Sequence, residues 1–100
     1  MPYFVLVLLI AGCTTQMIAD RLPSYRGQPV SAIIDKLGIP SDERVIAGRK
    51  AYIWANSNFV EGTNYKCQIR AVIDDQNTIV STDFEGNQGG CAGFAAKLNR

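Results

Sequence analysis

From Tyr3 to Ala11 the chain runs through nine residues without a charge, and this apolar run closes on Gly12 and Cys13. No other feature limits the fold as firmly, because it decides which residues are left to build a domain. A run of this length matches the 7–15-residue centre of a secretory signal and falls short of the ~20 residues that span a bilayer. The sequence Ile10-Ala11-Gly12-Cys13, an apolar residue and two small ones before a cysteine, has the pattern of a bacterial lipobox. On that reading residues 1–12 are a signal peptide, and Cys13 becomes the acylated first residue of the mature chain. The segment departs from the usual signal in one respect: Met1 to Phe4 contain no Lys or Arg.

Acylation would settle where the chain resides. A buried methylene contributes about 0.8 kcal/mol, so one acyl chain holds marginally and two or three hold firmly. Thr14 follows the cysteine, where an Asp would favour the inner membrane. The expected address is therefore the periplasmic face of the outer membrane, with lipid on Cys13 as the only covalent group and no cofactor.

Taking residues 1–12 from the 100-residue chain leaves 88, enough for one domain. Net charge is +1 and neither sign clusters, which excludes the basic stripe that nucleic acid requires. Histidine is absent, and with it go the commonest general base and the nucleophile–His pairs. Asp42-Glu43 and Asp74-Asp75 are adjacent pairs, and adjacent strand residues point to opposite faces rather than converging. Gly86 to Gly90 lacks the phosphate-loop pattern, and no serine lies in a nucleophile elbow. The chain is expected not to be an enzyme.

With Cys13 lipidated, Cys67 and Cys91 remain as an even pair in an oxidising compartment. A disulfide closing a loop of roughly 25 residues would contribute about 3.5 kcal/mol on the chain-entropy estimate. A two-ligand metal half-site and two free thiols are the competing readings. The lack of His and of a CxxC motif weighs against the metal.

Residues 13–24 read as a polar, lipid-anchored tether, and residues 25–100 as the folded domain. Pro23 opens a short turn that Gly27 closes. Val30, Ile33, Ile34 and Leu37 form one apolar stripe, giving a helix over about 29–37 that ends at Gly38 and Pro40. Strands are predicted over 42–47, 50–56, 65–73 and 78–84, the second and third alternating strongly. Residues 57–64 are predicted as a loop, 74–77 as a turn, 85–90 as irregular and 92–98 as a short helix at best. The expected architecture is α+β, with two N-terminal helices packed on one face of a three- to four-stranded antiparallel sheet.

Tyr52 and Trp54 share one face of their strand, while Ala51, Ile53 and Ala55 share the other. The helices can cover only one face. Aromatics clustered in such a stretch usually belong to the core; if Tyr52 and Trp54 lie instead on the open face, they form a patch suited to a protein partner, and Phe59 is a further candidate contact. Asn87, in the glycine-rich stretch, is a further candidate contact.

Three segments together carry a family likeness: Gly27-Gln28-Pro29-Val30, Leu37-Gly38-Ile39-Pro40, and Gly48 followed by Tyr52-Ile53-Trp54. Over residues 22–84 the chain resembles the small outer-membrane lipoproteins of the SmpA/OmlA (BamE-like) group. The resemblance implies two helices on a three-stranded antiparallel sheet, and a non-catalytic envelope module that works through protein contacts. The Cys67 and Cys91 pair and the Gly-Gly-Cys tail depart from that pattern. The expected role is thus a scaffold or interaction module in outer-membrane assembly or maintenance, bound to an envelope protein and anchored to the membrane by lipid. The alternative is an inhibitor or exclusion protein that blocks an enzyme such as a lysozyme or β-lactamase.

Overall fold

Periodicity switches from helical to alternating near Pro40, and the computed structural model, which describes residues 13–100, changes element type at the same place. Helix α1 spans Cys13–Arg21 and runs into a 3₁₀ turn, Leu22–Tyr25; helix α2 spans Val30–Leu37. Four strands follow, β1 (Asp42–Ile46), β2 (Arg49–Val60), β3 (Thr63–Ile73) and β4 (Ile79–Gly86), and helix α3 (Gln88–Leu98) completes the domain. The strands form one antiparallel sheet in the order β1-β2-β3-β4.

The α+β class and the two helices ahead of the sheet match the sequence reading, and the sheet has four strands. The third helix is longer than the short one expected. It begins at Gln88, inside the stretch predicted as irregular, and buries Gly90, Cys91, Phe94, Ala95 and Leu98 along one side. Residues 13–24, expected as a tether, are mostly helical, with Ile18 fully buried and Leu22 nearly so. The α1 helix lies chiefly against α3. The lipobox segment, residues 1–12, lies outside the described residues.

The core fills the space between the helices and one face of the sheet. Trp54 from β2, Cys67, Ile69, Ala71 and Ile73 from β3, and Ile79 at the start of β4 meet Ile18, Leu22, Val30, Ile33, Leu37, Phe94 and Leu98 from the helical layer. The alternation of β3 shows this directly, since residues 67, 69, 71 and 73 are buried while those between them are half-buried. The connection from the 3₁₀ turn to α2 is tied to the sheet by backbone pairing: Gly27 N–H donates to Ile79 O, Ile79 N–H to Gln28 O, and Val30 N–H to Asn77 O, each at 2.8 Å.

The main departure concerns residues 57–64. They form no loop: β2 and β3 continue as a regular hairpin to Val60 and Thr63, joined by Glu61-Gly62. Both turn residues have positive φ, 52° and 82°, which is the two-residue geometry whose twist suits antiparallel strands. Ser57, Asn58 and Asn64 gave no alternating signal because the outer part of the hairpin is exposed on both faces.

Candidate interaction surfaces

Trp54 is the candidate partner residue that the structure moves furthest from its expected role. It is only 2% exposed, on the helix-covered face, and its indole Nε1–H donates to the Gly38 carbonyl at 2.8 Å. That carbonyl stands at the end of α2, where Gly38 adopts φ 87° and its own N–H returns to Ile34 O. The tryptophan therefore locks the helix exit onto the sheet and is unavailable to a partner. Tyr52 meets its edge in a T-shaped contact, centroids 6.5 Å apart, and is half-buried beside the core. The proposed Tyr52–Trp54 patch on an open face is corrected accordingly: both residues lie on the closed face, because the helices cover the even-numbered side of β2.

The open face sets two buried apolar residues of β2, Ala51 and Ile53, among charged neighbours. Ile53 lies between Asp42 and Arg70 across the ladder, and Ala51 between Arg44 and Val72. Arg70 is paired with Asp83 across β3 and β4, and Arg44 with Asp42 at 2.8 Å within β1. The hydrogen bond from Arg44 holds the Asp42 carboxyl below its ordinary value, and the one to Asp83 pushes the Arg70 guanidinium further up. Near the β1–β2 turn, Glu43 accepts from Lys50 at 3.1 Å and raises its ammonium pKa. These are solvated pairs of opposite sign rather than a single-sign patch or a converging acid–base couple. Among the described residues no group of three potential metal ligands comes together, and no helix is long and apolar enough to cross a membrane.

Cys67 and Cys91 form a disulfide, with Cα atoms 4.9 Å apart. It joins β3 to the first turn of α3, and two glycines make that approach feasible. At Gly86 the backbone turns through φ 151°, and a Cβ there would overlap the Lys66–Cys67 backbone and come within 2.9 Å of Cys91 Sγ. At Gly90 a Cβ would collide with Lys66 itself. The Gly-Gly-Cys tail, at the end of the stretch predicted as irregular, is thus a close contact between a helix and a strand.

Asn87, read from the sequence as a candidate contact, is exposed and also has a structural role. Its side-chain oxygen caps α3 by accepting Gly90 N–H at 2.8 Å and also accepts Lys66 N–H at 3.3 Å. Its amide donates to Asn64 O at 2.7 Å, and its backbone N–H donates to Lys66 O at 3.1 Å. One residue therefore stands in for a strand along the outer edge of β3.

Phe59 alone among the named candidates is fully presented, 71% exposed near the hairpin tip, with Val60 on the opposite face at 43%. Tyr65 is 37% exposed, its ring lying where a side chain on Gly89 would sit. The sequence reading missed the backbone edge beside these residues. Glu61-Gly62 between two β-compatible runs was the available signal, weaker than the Asn-Gly or Asp-Gly pairs that mark such turns. In comparisons with known proteins, no family model matches the chain, and no curated protein or solved structure does either.

Proposed function

We propose that the chain is a non-catalytic, lipid-anchored lipoprotein of the bacterial envelope, a scaffold or interaction module serving outer-membrane assembly or maintenance from the periplasmic face. The observation that carries this reading is the Cys67–Cys91 disulfide. Disulfides persist in oxidising compartments, and this one uses both cysteines of the folded body, leaving Cys13 as the third, at the end of an apolar run. A likeness to the SmpA/OmlA group over residues 22–84 belongs to the same proposal. So does the choice of a protein partner rather than a small molecule, supported by an exposed hairpin bearing Phe59 and a sheet face of mixed charge.

Intact mass of the protein from its native membrane fraction tests the address. The expected result is loss of residues 1–12, added acyl mass on Cys13, and a gain of two protons on reduction. An unprocessed mass with three free thiols overturns it. Inhibition of an enzyme is the second reading, favoured by the exposed hairpin tip with Phe59 and Val60 beside its turn. Lack of inhibition against a panel of lysozymes and β-lactamases at micromolar concentration removes it.

A further inference from the structure

Strand β2 loses its outer neighbour halfway along. Its pairing with β1 stops at Ile53, opposite Asp42. Ser41 covers the next step, donating its N–H to Ile53 O at 2.7 Å and receiving Ala55 N–H on its hydroxyl at 3.1 Å. These two bonds fix which backbone groups face away from β3: those of Ile53 and Ala55. By the alternation of an antiparallel strand, the N–H and C=O of Ser57 and Phe59 face the same way, and no described residue meets them.

The two edges of the hairpin are therefore unequal. Along β3, Asn87 occupies the edge through its side chain and backbone. Along β2 the edge is bare from Asn56 to Val60. Proteins keep bare edges single with charge or proline. The outer strands β1 and β4 follow that rule, with Asp42, Glu43 and Arg44 in one and Asp83 and Glu85 in the other. Asn56-Ser57-Asn58-Phe59-Val60 has neither device. A two-stranded ribbon is also marginal in water without a third strand or a packed face, and the tip of this one has neither.

We propose that this edge pairs with the same edge of a second copy of the chain, antiparallel, about a two-fold axis at Asn58. The register follows from the geometry. With Asn58 opposite Asn58, Ser57 of each copy stands opposite Phe59 of the other, and every outward N–H and C=O of those residues is used. The absence of charge removes any like-charge opposition across the axis, which a self-pairing edge must avoid. Antiparallel pairing sends the two bodies to opposite ends of the joined arms. Glu61 of one copy then comes level with Ala55 of the other, where Ser41 ends the free edge, so the free length matches the register. The segment is far shorter than the 20–30 residues a side of a stable interface, and the association is weak and concentration-dependent. The inference stands on the edge and not on the lipid anchor.

Cross-linking of purified full-length Asn58→Cys under mild oxidation, over a range of protein concentrations, tests it. At a non-hydrogen-bonded antiparallel pair the Cα atoms lie about 4.5 Å apart, within disulfide reach. A covalent dimer is expected at Asn58→Cys but not at Asn56→Cys, which the register places away from its own copy. Adding Phe59→Pro removes an outward N–H while leaving the β2–β3 ladder intact. It should cut cross-linking about tenfold or more, because both copies lose a bond. Circular dichroism and thermal unfolding establish that this variant stays folded; should it unfold, Ser57→Pro serves in its place. Absence of a cross-link at Asn58→Cys, equal cross-linking at positions 56 and 58, or cross-linking that survives the proline would each overturn the proposal.

Discussion

The inner and outer halves of β2 lie on one continuous strand and have opposite surroundings. From Arg49 to Trp54 the strand lies between β1 and β3, with Trp54 buried under the helices and Ala51 and Ile53 buried on the opposite face. From Ala55 to Val60 it keeps only β3, and every residue is exposed. Local chemistry follows the neighbours: residues 51–54 are apolar on both faces, whereas the outer half has Asn or Ser at three of its six positions. Strand formation in the outer half rests on backbone pairing and on the Glu61-Gly62 turn. In the inner half it rests on burial.

Substitutions should separate the halves by their effect on stability. Trp54→Ala removes a buried aromatic and leaves the Gly38 carbonyl without its donor; a loss of about 3–5 kcal/mol is expected in urea unfolding. A loss below about 1 kcal/mol would mean that the inner half is not the anchor of the fold. Asn87→Ala lies at the boundary. It removes the α3 cap and the side-chain bonds to Lys66 and Asn64, and should cost about 1–2 kcal/mol. Hydrogen exchange should show faster opening at Lys66 while Ile69 stays protected; equal change at both would blur the boundary. Phe59→Ser, in the outer half, should alter monomer stability by no more than about 0.5 kcal/mol. A larger loss would show that the tip packs on something within the chain.

What could be read from the sequence divides along the same line. Alternation from Lys50 to Trp54 and from Cys67 to Ile73, and the stripe Val30, Ile33, Leu37, identified the strands and the helix because burial writes a period into residue choice. Where nothing is buried there is no period, and 57–64 looked like a loop. Cys67 and Cys91 were legible as a pair once Cys13 was set aside as the lipidated residue. Trp54's side was not legible, since both faces of its strand carry apolar residues and only the path of the helices decides between them. Asn87 and the glycines around it suggested irregular chain. They cap and seat α3, whose stripe of small residues gives little amphipathic contrast. The bare edge of β2 is a property of main-chain atoms that no side chain announces.

Were Cys13 acylated, helix α1 would set how far the domain stands from the membrane. A free tether of the eleven residues between Cys13 and Tyr25, read from the sequence as loose, would let the body wander through a sphere of roughly 18 Å root-mean-square radius. Because α1 begins at Cys13 and Ile18 is already in the core, only about 7.5 Å of rigid helix separates the two. An acyl group on Cys13 would then act as a mounting bolt rather than a leash. The domain would keep a fixed height and tilt against the bilayer and sample its neighbours by sliding in two dimensions.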